Sequence, residues 1–158
     1  MAVEIERKFL VASAAWRDNV DSSVAMVQGY IAETETCSIR VRVAGDRAWI
    51  NFKGLTIGAR RSEFEYAVPA DEAREMLALY CGGRVIEKTR HHLRCGDHTW
   101  EIDEFDGANT GLIVAEVELE CEDEQVSLPA WVGEEVTHDP RYYNIRLVTQ
   151  PFSEWFDD

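Results

Sequence analysis

The sequence predicts an α+β fold built on an antiparallel β-barrel with a charged interior and a few covering helices. Two features carry that expectation. Runs of strand length alternate apolar with charged residues, and most runs present a doublet of one sign on their polar face. The runs are also joined by compact turns such as Gly45-Asp46 and Gly96-Asp97, so that hairpin succeeds hairpin as an antiparallel meander requires. A half-buried antiparallel strand ordinarily alternates apolar residues with a mixture of Thr, Ser, Lys and Gln. Doublets of like charge are better satisfied pointing inward around an ionic ligand, with the apolar faces turned outward beneath helices.

The elements follow in order. A first strand over 3–10 sets Glu4, Glu6 and Lys8 in one row and Val3, Ile5 and Arg7 in the other, because strand side chains alternate faces. Glu4 and Glu6 then lie about 7 Å apart and repel unless a cation sits between or above them. Such a pair can share a divalent ion, and Lys8 beyond it can hold a phosphate attached to that ion. A short helix over 13–19 is expected, with Ser13 as cap and Trp16 packing inward. Strands over 24–32, 36–44 and 47–54 follow; the second places Arg40 and Arg42 opposite Ile39, Val41 and Val43, and the third places Asn51 and Lys53 opposite Ile50 and Phe52. The strand over 60–68 pairs Glu63 with Glu65 against Phe64 and Tyr66.

Asp71 to Tyr80 reads as the clearer helix. Ala73, Met76, Leu77 and Tyr80 fall at helical spacing, and Gly82-Gly83 ends it. Strands over 83–95, 98–106 and 111–121 then supply the doublets Lys88 with Arg90, Glu101 with Asp103, and Glu116 with Glu118, which brings the strands to eight. The remainder, about 129–158, reads as a C-terminal helical segment in which Thr137 or Asp139 caps a turn begun by Pro140. Its aromatic tail, from Phe152 to Asp158, either folds back onto the barrel or meets a partner, a second copy in a homodimer among the options.

Length and composition bound the function. The chain's 158 residues suit one domain, 1–158, and no linker or repeat divides it. A net charge of −14 argues against nucleic-acid and membrane-surface binding, both of which need basic footprints. A polyanion remains admissible where basic residues concentrate in a cavity, since local field and bound cations decide what a narrow space accepts. No apolar run approaches a membrane span of roughly 20 residues, and no leader precedes the first strand. Cys37, Cys81, Cys95 and Cys121 lack close spacing and fit free thiols in a reducing cytoplasm. His91, His92, His98 and His138 show no chelate spacing, although His92 shares the face of Lys88 and Arg90. There is no Gly-x-x-x-x-Gly-Lys loop and no Ser/His/Asp set, so side chains must grip any phosphate and no covalent phospho-enzyme is expected.

The segments Glu4-Ile5-Glu6-Arg7-Lys8, Ile39-Arg40-Val41-Arg42, Phe52-Lys53-Gly54, Glu63-Phe64-Glu65-Tyr66, Glu87-Lys88-Thr89-Arg90, Trp100-Glu101-Ile102-Asp103-Glu104-Phe105 and Ala115-Glu116-Val117-Glu118-Leu119 resemble, in order, the motifs of the CYTH family, or triphosphate tunnel metalloenzymes. The resemblance runs from residue 3 to about 147. It implies an eight-stranded antiparallel tunnel that binds a triphosphate-containing small molecule through basic residues and one or two divalent metals through acidic ones.

Carried onto this chain, the resemblance implies that Glu4, Glu6, Glu116 and Glu118 hold Mg²⁺ or Mn²⁺, with Glu63, Glu65, Glu101 or Asp103 helping a second ion. Lys8, Arg40, Arg42, Lys53, Lys88 and Arg90 grip the phosphates, and Glu4, Glu6, Lys8, Lys88 and Arg90 are the expected catalytic set. The expected reaction is hydrolysis of inorganic tripolyphosphate to phosphate and diphosphate by water attack on a metal-bound phosphoryl group, with no histidine base needed. Adenylate cyclase or thiamine triphosphatase activity is the alternative and needs a platform for a ring, for which Tyr30 and Trp49 are available. A non-catalytic polyphosphate-binding module would need only the basic residues. A purely structural ion-pair network explains the like-charged doublets poorly, though Glu101 and Asp103 stand closest to it. Three positions depart from the pattern: His91 replaces a tyrosine, Asn144-Ile145-Arg146-Leu147 lacks a supporting lysine, and Arg7 points away from the tunnel and needs its own partner.

Overall fold

The protein is described by a computed structural model covering residues 3–156; Met1, Ala2, Asp157 and Asp158, the ends of the expected 1–158 domain, lie outside it. Nine strands and two α-helices are present among the described residues. They are β1 (Val3–Val11), β2 (Ser22–Glu33), β3 (Cys37–Ala44), β4 (Arg47–Gly54), β5 (Arg60–Val68), α1 (Ala70–Tyr80), β6 (Val85–Cys95), β7 (His98–Phe105), β8 (Ile113–Glu118), β9 (Val132–Glu135) and α2 (Asn144–Leu147). Eight form an antiparallel barrel in the order β5-β4-β3-β2-β6-β7-β8-β1, closed by pairing of β1 with β5. The eight expected strands are all present, with ends shifted by a few residues. The tight turns are also as expected: Gly45 and Gly96, at φ 65° and 61°, each take the first central position of a two-residue loop, where backbone twist favours a positive φ.

Closure is divided along β1. Val3, Glu4 and Ile5 pair with Ser62, Arg61 and Arg60 of β5. On the opposite edge, Glu6 to Leu10 pair with Glu118 to Val114 of β8. Beyond the β5 contact the chain adds β9, with Phe9 opposite Glu135 and Val11 opposite Val132. Sequence reading treated this region as helical. The structure places a strand there because β1 outruns β5 and offers an open edge. Arg7, which needed a partner, finds it here: Nε and Nη2 donate to the two Glu135 carboxylate oxygens at 2.9 and 2.7 Å.

Outward apolar residues build the core, as the alternation requires. Phe9, Leu93, Trp100, Ile102, Ala115 and Val117 are covered by Trp16 from the 3-10 turn Ala15–Asn19 and by Trp131. Ser13 Oγ accepts from the Ala15 amide at 3.3 Å at the start of that turn. Helix α1 covers β2, β3 and β4, where Ala73 and Cys81 pack with Val41, Val43 and Ala48. It comes so near β2 that a Cβ on Gly29 would meet Cys81 Sγ at 2.6 Å, so glycine is required there. No helix covers the outer face of β5, and Phe64 and Tyr66 are exposed.

A third cluster lies inside one end of the barrel. Tyr30, Ile86, Phe105 and Val114 pack against Val136, Tyr142 and Leu147, so the C-terminal segment stoppers that end with apolar surface. Phe152 and Trp155 fold onto the same cluster, Trp155 edge-on to Tyr142 at 5.1 Å between ring centres. Asp139 starts the preceding turn by accepting from the Arg141 amide at 3.1 Å, with Pro140 at its first position. Thr137, the other expected cap, is instead tied to β1: its Oγ1 accepts from the Lys8 amide at 3.0 Å.

Candidate active site in the barrel interior

The inward rows of the strands meet around a cavity of about 460 Å³. Every candidate residue from the sequence lines it except Asp103: Glu4, Glu6, Lys8, Arg40, Arg42, Lys53, Glu63, Glu65, Lys88, Arg90, Glu116 and Glu118. Ladder register explains how they meet. Lys8 stands opposite Glu116, which stands opposite Glu101; Lys53 stands opposite Glu63, and Arg90 opposite Asp103.

The acidic side gathers on β1, β5 and β8. Lys53 Nζ lies 2.7 Å from Glu63 Oε2 and 3.3 Å from Glu4 Oε1, and Arg61 Nε lies 3.4 Å from the same Glu4 oxygen. Burial opposes ionisation of Glu4, but Lys53, a hydrogen bond with Glu63 and Arg61 outweigh it and hold its carboxyl well below the usual range. Glu6 fares oppositely. Burial, Glu116 and Glu4 push it up from 4.5 to about 8, and Lys8 at 3.9 Å does not compensate. Glu63 is raised by burial and by its contact with Glu4, and Glu118 by burial with Glu4 and Glu101 nearby. Glu6, Glu63 and Glu118 are therefore short of positive charge.

The basic side divides into paired and unpaired cations. Arg90 donates from Nε and Nη2 to Asp103 at 2.7 and 2.9 Å and from Nη1 to Glu101 at 2.9 Å. Lys88 Nζ donates to Asp103 Oδ2 at 2.6 Å and to Asn144 Oδ1 at 2.9 Å. Burial, with Arg90 and Arg42 close by, lowers Lys88 to about 7 despite Asp103. Arg40 and Arg42 differ: among the described residues neither has a carboxylate within 4 Å. Arg40 is 5% exposed and its Nε has no hydrogen-bond partner. Arg42 donates only to Gln28 Oε1, at 2.9 Å, and burial, Arg40 and Arg90 lower it to about 9. A buried guanidinium without an anion is costly, so this wall is built for one that arrives from outside.

Asp103 has a different place from the one expected. Both its oxygens accept from Lys88 and Arg90, it is 1% exposed, and it does not line the cavity, so it stands as the counter-ion of the basic wall. Glu65 accepts from Asn51 Nδ2 at 2.8 Å. His92 sits beside Glu101, at 3.4 Å, outside the main cavity. His91 faces outward between Ser23 and Glu104 and packs on Trp16, at 5.0 Å between ring centres. Tyr30 and Trp49 both border the cavity, although Tyr30 also belongs to the apolar stopper.

Sequence reading missed four lining residues: Arg61, Met26, Ser38 and Ile145. Arg61 was legible, being two positions before Glu63 on the same face. Asn144 was noted only for the lysine it replaces, and its bonds to Lys88 and Gln28 are long-range. In the terminal segment Tyr143 lines the cavity, its ring 5.2 Å from Lys8 Nζ. Arg141 turns away to Asp139 and Arg146 to Glu33.

A closed antiparallel barrel with unpaired guanidinium groups on one wall and charge-deficient carboxylates on the other defines an anion-binding tunnel protein. A CYTH domain matches residues 2–143, and the chain belongs to the CYTH family. It is 43% identical over 155 residues to an inorganic triphosphatase of Acetivibrio thermocellus, covering 98% of this chain and 99% of that protein. It is 37% identical over 148 residues to an inorganic triphosphatase of Nitrosomonas europaea, covering 91% and 95%. Among solved structures, that of the inorganic triphosphatase NE1496 superposes with a TM-score of 0.64 at 36% identity, over 92% of this chain and 97% of that one.

The family implies dependence on a metal, and the residues fit one. Hard carboxylate oxygens crowd together with Glu6 held partly protonated for want of a cation. Among the described residues no three His, Cys, Asp or Glu side chains form a ready-made cage.

Proposed function

We propose that the protein hydrolyses inorganic tripolyphosphate to phosphate and diphosphate, with Mg²⁺ or Mn²⁺ as cofactor. The observation that carries this reading is the pair of guanidinium groups, buried Arg40 and half-buried Arg42, that face the cavity without a carboxylate within 4 Å among the described residues. They match an anion of several charges, and the enclosure leaves most lining positions to charged groups. Relatives that match nearly end to end are inorganic triphosphatases, which supports the same substrate.

The residues divide the work. Lys8, Arg40, Arg42 and Lys53 bind and orient phosphate oxygens, and Lys88 and Arg90 carry charge toward the stoppered end. Asp103 holds Lys88 and Arg90 in place. Lys88, lowered to about 7, can hold or release a proton near neutral pH at Nζ. Glu4, Glu6, Glu63, Glu116 and Glu118 would hold the metal, and a bound divalent ion supplies charge neutralisation and Lewis acidity at the phosphates. The exclusion of bulk water by the closed barrel strengthens all these interactions.

The four free cysteines support a reducing, cytoplasmic setting, and no helix among the described residues is long and apolar enough to cross a membrane. Phosphate release from tripolyphosphate and from ATP, across a panel of divalent metals, tests the proposal. Faster release from tripolyphosphate is expected. Preferred turnover of ATP with cyclic AMP as product would overturn it, and tight tripolyphosphate binding without product under any metal would mark a binding module.

A further inference from the structure

Gln28 is fully buried on the inward row of β2, and it is the hinge of a hydrogen-bond chain that the reaction as described does not use. Its Oε1 accepts from Arg42 Nε at 2.9 Å, and its Nε2 donates to Asn144 Oδ1 at 3.0 Å. The same Asn144 oxygen accepts from Lys88 Nζ at 2.9 Å. One amide on the C-terminal segment thus joins two cations from separate strands. Arg42 has no carboxylate within 4 Å among the described residues, so Gln28 alone orients its guanidinium. Lys88 has Asp103 on one side, and Asn144 fixes a second of its donor directions.

Resting on the triphosphatase reading, we propose that Asn144 is a positioning residue that acts through Gln28 on Arg42 and directly on Lys88, holding both in phosphate-gripping geometry before substrate arrives. The C-terminal segment then does more than stopper the barrel. It completes the basic wall by side-chain contact, and Asn144 with Gln28 acts as a single unit. Displacement of gripping groups by about 1 Å is enough to cost about 100-fold in rate.

The test is a double-mutant cycle on the full chain, with tripolyphosphate and the best metal. Asn144→Ala should lower kcat/KM by about 10- to 100-fold at temperatures where it is fully folded. Gln28→Leu should raise KM and leave kcat within about threefold, since only Arg42 loses its partner. The double variant should fall within about twofold of Asn144→Ala, because both changes break one network. Asn144→Asp keeps the acceptor for both donors and should recover most of the loss; if Asn144→Ala does not fold, its comparison with Asn144→Leu serves instead. Losses that multiply in the double variant, or Asn144→Ala kinetics within about twofold of wild type, would overturn the relay. A wild type that releases no phosphate from tripolyphosphate would instead sink the triphosphatase reading. The relay is then read from tripolyphosphate binding, where unchanged affinity in Asn144→Ala counts against it.

Discussion

Glu6 of β1 and Glu118 of β8 face each other as direct partners in the barrel ladder. Like charges in that relation destabilise a sheet, and burial with Glu116 and Glu4 nearby raises Glu6 from 4.5 to about 8. The folded state therefore holds a proton that the unfolded chain releases. Its stabilisation is complete below about pH 4.5 and is lost as pH rises toward 8. Glu6→Gln removes this dependence, so the thermal midpoint of the variant should gain on that of wild type from pH 5 to pH 8 in metal-free buffer. Turnover by the same variant should fall by roughly 100-fold or more, beyond the range typical of residues that only support a ligand. A parallel pair of melting curves, or an unchanged rate, would remove Glu6 from the metal site.

Metal binding should release protons. An ion that takes Glu6 must displace the proton held there at neutral pH, so affinity for Mn²⁺ should rise from pH 6 to pH 8. Calorimetry in two buffers of different ionisation heat counts the protons directly. No release at pH 7 would contradict the arrangement.

Arg40 separates function from stability. Arg40→Met removes a buried cation that has no anion beside it. The substrate-free protein should melt at the same temperature or up to about 4 °C higher, and KM for tripolyphosphate should rise at least roughly tenfold. A marked fall in thermal midpoint with unchanged KM would show the guanidinium to be structural.

Asp103 should behave in the opposite way. Asp103→Asn leaves Lys88 and Arg90 buried without their shared counter-ion, a loss of about 3–5 kcal/mol. The thermal midpoint should drop sharply, and Mn²⁺ affinity of the folded fraction should change little. Selective loss of metal affinity with normal stability would return Asp103 to the metal ligands.

The fold was legible because period-two alternation is a local property: each doublet from Glu4 and Glu6 to Glu116 and Glu118 announced an inward face without knowledge of its neighbours. The turns at Gly45 and Gly96 were legible for the same reason. Roles that depend on pairing across the barrel were not. Glu101 and Asp103 share a face with the same spacing as Glu116 and Glu118, yet register sets Asp103 against Arg90 and makes it a counter-ion. Strand β9 was hidden because Val132–Glu135 carries Gly133 and little apolar pattern. It forms because β1 offers an edge and Arg7 offers a charge. Asn144 and Gln28, being neutral, carried no sign for a doublet reading to detect.

The short seam between β1 and β5 ties the charge balance of the site to closure of the ring. Among the described residues Val3, Glu4 and Ile5 pair across it, and the residues they meet lie more than fifty positions along the chain. In an unrolled sheet Glu4 would sit at one margin, with Lys53 and Arg61, its balancing cations, toward the other. Pairings between such distant positions are slow to form. The carboxylates of β1 and β8 would still be neighbours in that open sheet, whereas Lys53 and Arg61 reach Glu4 only once the ring is shut, so closure is what brings the two signs of charge face to face.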